Sequence, residues 1–129
     1  MPIDYSIDIE LGLLRTFWSG DIGDSEFVAR YREIFDDSDF AYATMELTDL
    51  SKLASFSLTA GAMKTIVDAT SNRMGDAVLK TSVYAPSSLA FGTARMYFAY
   101  ADNKGSEVVN VFRTLQEAEA WLGLPDPGR

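Results

Sequence analysis

Residues 41–69 hold a strand that feeds a helix through a polar connection, and this unit constrains the fold more than any other stretch. Ala41-Tyr-Ala-Thr-Met-Glu-Leu-Thr48 is rich in residues suited to a pleated surface buried on much of both faces, which predicts a strand. Asp49–Ser57 is polar with two apolar anchors, Leu50 and Leu53, and reads as the connection. Leu58, Ala62, Ile66 and Ala69 then recur at helical spacing. A strand running into a helix is the repeating unit of a sheet covered by helices. The free amides at such a helix start suit an anion or a partner.

The flanking segments extend the same alternation. Tyr5–Ile9 and Leu13–Trp18 alternate apolar and polar residues around Glu10-Leu-Gly12, which predicts a hairpin. Ser19–Ser25 breaks the pattern and offers Asp24 or Ser25 as a helix cap. Phe27, Val28, Tyr31, Ile34 and Phe35 then give a helix over 24–35 its buried stripe. The central helix is expected over 57–72, a strand over 78–84 and a third helix over 87–101. The core stripe of that third helix is expected to include Leu89, Phe91, Ala94, Met96 and Phe98, with Asp102–Gly105 as the turn after it. Residues 107–112 form the last strand. Thr114-Leu-Gln-Glu117 is a capping box for a helix over 114–122, which Gly123 ends. The expected fold is α/β, with a mixed, mainly parallel sheet of four or five strands after an N-terminal hairpin and four helices, in the order ββαβαβαβα. One domain is expected over 1–124, with 125–129 as a frayed tail.

Composition removes whole classes of chemistry. With no cysteine and no histidine among 129 residues, disulfides, thiol nucleophiles, histidine bases and the usual zinc sites are all absent. A net charge of -8 argues against nucleic acid and against an anionic membrane surface, since both need a basic face. The N-terminal residues lack the pattern of a signal peptide, and no apolar run approaches the roughly 20 residues that span a bilayer. These features read as a soluble cytoplasmic protein without stable membrane insertion. Asp36-Asp-Ser-Asp39 lacks the oxygen donor and glycine that a calcium loop needs next, so it reads as a solvated helix exit. No metal or cofactor is expected.

The element order, together with Phe91-Gly-Thr-Ala-Arg95 and Val111-Phe-Arg-Thr-Leu-Gln-Glu-Ala-Glu-Ala-Trp-Leu122, resembles the SpoIIAA-like proteins. These are small bacterial proteins placed near the STAS domains of anti-sigma-factor antagonists and the lipid-binding lobe of CRAL-TRIO proteins. The resemblance implies a STAS-like fold with helices stacked against one sheet and implies less about activity; the expected role is non-enzymatic. In the antagonists a serine at the start of the helix after the middle strand is phosphorylated. The corresponding region here is Ala54–Gly61, where Phe56 breaks the serine pair and Ala54 replaces the acid. Ser55, Ser57 and Thr59 stand as candidate phospho-acceptors or as plain helix caps.

Two further groups of residues draw attention. Phe91, Met96, Tyr97, Phe98 and Tyr100 crowd one helix with more aromatic surface than a single face buries. With Phe56 and Leu58 they form a candidate surface for a partner or an apolar ligand. Replacing Tyr97 and Tyr100 by serine is expected to weaken association and leave the fold intact. Gly92, costing ~1 kcal/mol within a helix, implies a close backbone approach, and Arg95 suits an anion or an ion pair. The sequence therefore reads as a protein-interaction module that binds a protein partner or a second copy of itself as a homodimer. The alternative is a small apolar-ligand or lipid-binding protein of CRAL-TRIO-like type, which would need a cavity of at least ~300 Å³ beside Phe91 and Met96.

Overall fold

The computed structural model describes residues 2–104 and 107–125, excepting the side chains of Phe56, Asn103 and Lys104. Five strands lie in chain order across one sheet: β1 (Ile3–Asp8), β2 (Leu13–Gly23), β3 (Met45–Ser57), β4 (Leu79–Tyr84) and β5 (Glu107–Phe112). β1 runs antiparallel to β2, and every later pair is parallel. The hairpin turn depends on Gly12, whose φ is +65° and whose missing Cβ would stand 3.0 Å from the Tyr42 carbonyl and the Thr44 hydroxyl. Four α-helices accompany them among the described residues: α1 (Asp24–Asp36), α2 (Ala60–Met74), α3 (Ser88–Lys104) and α4 (Leu115–Leu122). Among the described residues no helix is long and apolar enough to cross a membrane.

Helices α1, α2 and α3 cover one face of the sheet, where Leu14, Ile22, Phe27, Ile34, Ile66 and Val83 build the main core. α4 covers the other face over a smaller cluster of Leu13, Leu47, Ala118 and Leu122. Polar contacts fix α4 there. Ser82 donates to the Ala118 carbonyl at 2.8 Å, and Lys80 donates to the Trp121 carbonyl at 2.7 Å with its ammonium over the indole ring. The Thr114 hydroxyl caps α4 by accepting from the Glu117 amide, while Glu117 itself accepts from that hydroxyl rather than from the Thr114 amide.

Several expected boundaries move. Asp49–Ser57 is not a connection but the second half of β3, paired with β2, which runs through Ser19–Gly23. These two long strands project beyond their neighbours, so their polar outer halves face solvent and lack the alternation that marks a half-buried strand. Ser38–Tyr42 forms a 3-10 turn with Phe40 buried, so the middle strand starts at Met45. Its cap is Asp37, which accepts from the Asp39 amide and the Tyr5 hydroxyl. Asp24 does not cap α1, whose N-cap is Gly23. α2 starts at Ala60 rather than Ser57, and α3 continues through Asp102–Lys104, where a turn was expected. Gly105 and the tail residues 126–129 lie outside the described residues.

Candidate functional site

The inward row of the sheet carries polar residues where an ordinary core would be apolar. Register places Leu14, Glu46 and Thr81 side by side on β2, β3 and β4. Glu46 is 4% exposed and its Oε2 accepts from three hydroxyls: Tyr31 at 2.7 Å, Thr16 at 2.9 Å and Thr48 at 2.9 Å. Glu107, also 4% exposed, accepts from Thr81 at 2.7 Å and from Tyr97 at 3.0 Å. Among the described residues no lysine or arginine pairs with either carboxyl; Arg15 and Arg30 pair instead with Glu119 and Glu33.

Two acids without a cation in a dry interior resist ionisation. Burial pushes Glu46 above the ordinary carboxyl value against its three hydroxyl donors, which favour the charged form. Burial first, and then the negative charge of Glu46, push Glu107 up to about 7. Burial likewise holds the Tyr31 and Tyr97 hydroxyls far above their usual range, so both stay protonated as donors.

These groups line a cavity of about 60 Å³ between the sheet and the three helices, bounded by Trp18, Leu58, Met63, Thr93 and Ala94 among others. α3 contributes Thr93, Ala94 and Tyr97 to its wall, and the short side chain of Ala94 leaves space beside Tyr97 and Glu107. Trp18 is 7% exposed, and its indole Nε1 has no hydrogen-bond partner among the described residues.

The residues singled out from the sequence disperse. Tyr97 turns inward onto Glu107, and both Tyr97 and Leu58 line the cavity. Phe91, Phe98 and Tyr100 pack half-buried against the core margin, under the cations of Arg113, Arg95 and Lys64 respectively. Leu89 and Met96 do not belong to the core stripe, being 52% and 50% exposed. The cavity touches neither Phe91 nor Met96 and is far below the ~300 Å³ a lipid chain would need. The side chain of Phe56 lies outside the described residues.

At the start of α2, Thr59 rather than Ser55 or Ser57 is the cap, accepting from the Ala62 amide at 3.2 Å. Its own amide and hydroxyl donate to Asp24 at 2.8 and 2.7 Å, tying α2 to α1. Ser55 donates to Asp21, and Ser57 is exposed. Replacing Thr59 by alanine removes the cap and the hydroxyl bond to Asp24, leaving the amide bond, and is expected to cost about 1–2 kcal/mol. Chemical denaturation measures this, and an unchanged midpoint would show that the link carries no stability.

No protein-family model matches this chain, and no curated protein matches it. Among solved structures, it superposes on an uncharacterised protein of the DUF3478 family from Shewanella loihica PV-4, which has a SpoIIAA-like fold. The TM-score is 0.58 at 13% sequence identity, covering 93% of this chain and 91% of the other. The fold is SpoIIAA-like. At that identity the SpoIIAA-like scaffold is shared while the side chains are almost wholly different, so the carboxyl-lined cavity is read from this chain's own residues. Sequence reasoning passed over Glu46 and Glu107. For Glu46 the available signal was an acid in a strand expected to be buried on much of both faces.

Proposed function

We propose that this chain is a non-enzymatic STAS-like binding module whose contact surface is the outer face of α3, and that a second copy of the chain occupies it. The observation that carries this reading is Gly92. It lies within α3, solvent-exposed, and a Cβ built there would meet nothing within 4 Å. Close packing inside the molecule, the expected reason for a mid-helix glycine, therefore does not account for it. Leu89, Gly92, Met96 and Ala99 form one exposed line at helical spacing, apolar and lowest at the glycine, a shape that suits a second helix crossing close.

Charge supports self-association at this place. The chain carries -8, yet the sequences of α2 and α3 together hold four basic residues against two acidic ones. Two copies meeting through α3 thus keep most of the acidic surface away from the contact, and salt screens the repulsion between charges more than ~10 Å apart. A non-enzymatic role is consistent with the lack of histidine and cysteine and with carboxyls already occupied by hydroxyl donors.

The chain contains no cysteine, so Met96→Cys gives a single reporter thiol on this face. Its alkylation rate is expected to fall severalfold as protein concentration rises from dilute to concentrated. A rate independent of concentration would remove α3 as the contact surface.

A further inference from the structure

The interior cavity is separate from the α3 outer face, and its chemistry stands whether or not the chain self-associates. Among the described residues its two acids have no cation and one indole N–H in its wall lacks an acceptor, while its remaining walls are mainly apolar. The Tyr31 hydroxyl is near that N–H but outside hydrogen-bonding geometry. The two acids without a counter-ion and the indole N–H without an acceptor would each be a cost in a core, since burial disfavours an uncompensated charge and an unpaired donor alike. Together they describe the complement of one kind of molecule.

We propose that the cavity is a binding site for a short aliphatic amine in its ammonium form, held between Glu46 and Glu107, with an oxygen at its far end accepting from Trp18 Nε1. The ammonium supplies the missing cation, and the alkyl carbons meet Met63, Ile66 and Val83. The volume of about 60 Å³ suits a molecule of a few non-hydrogen atoms and excludes a lipid chain. Entry is between the start of α2 and α3, where Leu58 and Thr93 at the cavity wall are only half-buried.

Binding exchanges a proton for the amine. The titratable groups facing the cavity are Glu46 on β3, Glu107 on β5, Tyr31 on α1 and Tyr97 on α3, while α2 contributes only apolar side chains. Both tyrosines stay protonated throughout the neutral range, so the carboxyls alone change state. With Glu107 titrating at about 7, the carboxylate is about tenfold more populated at pH 8 than at pH 6, and the amine remains an ammonium at both.

Calorimetric titration with 3-amino-1-propanol, propylamine and 1-propanol tests this in the intact chain. Both amines are expected to bind, about tenfold more tightly at pH 8 than at pH 6 and with proton release, while the alcohol gives no binding heat. Trp18→Phe is expected to erase the advantage of the amino alcohol over propylamine, and Glu107→Gln to weaken both amines at least tenfold. If Glu107→Gln fails to fold, Glu46→Gln and the contrast of amine with alcohol in the wild type decide the matter. Absence of heat from either amine at pH 8, equal binding of the alcohol, or unchanged affinity in a folded glutamine variant would each overturn the assignment.

Discussion

The protein is expected to lose stability as pH rises from about 4.5 to about 7, the reverse of the usual acid lability. Glu107 is the main cause, because its carboxyl titrates at about 7 in the fold against an ordinary value of 4.5. Between those values the native state holds a proton that the unfolded chain has released, so each increment of pH favours unfolding. Below 4.5 both states are protonated and above 7 both are ionised, so the loss is confined to that window and complete above it. A shift of this size corresponds to on the order of 3 kcal/mol. Glu46, also raised by burial, adds in the same direction. Asp37, held low by the Asp39 amide and the Tyr5 hydroxyl, acts oppositely, but only as pH falls through the acid range below this window. Urea denaturation at pH 5 and pH 8 measures the effect. Glu107→Gln should flatten the profile and exceed the wild type in stability at pH 8. A wild-type profile that is flat or rising across the window would show that Glu107 is solvated or paired.

Tyr97→Ser is expected to destabilise the fold by about 2–4 kcal/mol, through loss of a ring packed against the core and the opening of a larger void. The sequence pointed to a surface ring there, and the structure corrects that: the Tyr97 hydroxyl donates to Glu107 and the residue lines the cavity. Losing this donor also leaves Glu107 Oε1 without its partner and pushes the carboxyl higher still. Met96→Ser, one residue away but on the 50% exposed outer face, should stay within about 0.5 kcal/mol of wild type. The contrast between adjacent positions separates an interior tyrosine from a helix that is merely sensitive to substitution. Equal denaturation midpoints for the two variants would place Tyr97 outside the core.

The element order and sheet class were legible because hydrophobic period switches cleanly between strand and helix along the chain. β5 and the capped α4 fall where Val108, Val109 and Thr114 indicate. The outer half of β3 was not legible, since Asp49, Ser51, Lys52 and Ser55 satisfy the sheet's backbone bonds while their side chains meet water, and polarity then mimics a loop. α3 was misread for a related reason. Its inward face is made of alanines with Tyr97, so the larger Leu89 and Met96 draw the eye to the wrong side. The candidate site was the least legible feature, because Glu46 in a strand expected to be buried was only a weak local signal and nothing local marked Glu107 as buried. Only the register that sets Glu46 beside Thr81, and the fold that brings Tyr31 and Tyr97 above them, reveals it.

The central claim, that copies of this chain meet through the outer face of α3, is tested most directly by sedimentation velocity over a wide concentration range. Wild type and Leu89→Ser/Met96→Ser should be compared at matched salt. The account predicts a wild type that shifts from monomer to dimer as concentration rises, and a double variant that keeps its circular dichroism spectrum yet remains a monomer throughout. A wild type that stays monomeric at the highest concentration, or a double variant that dimerises as well as the wild type does, would contradict it.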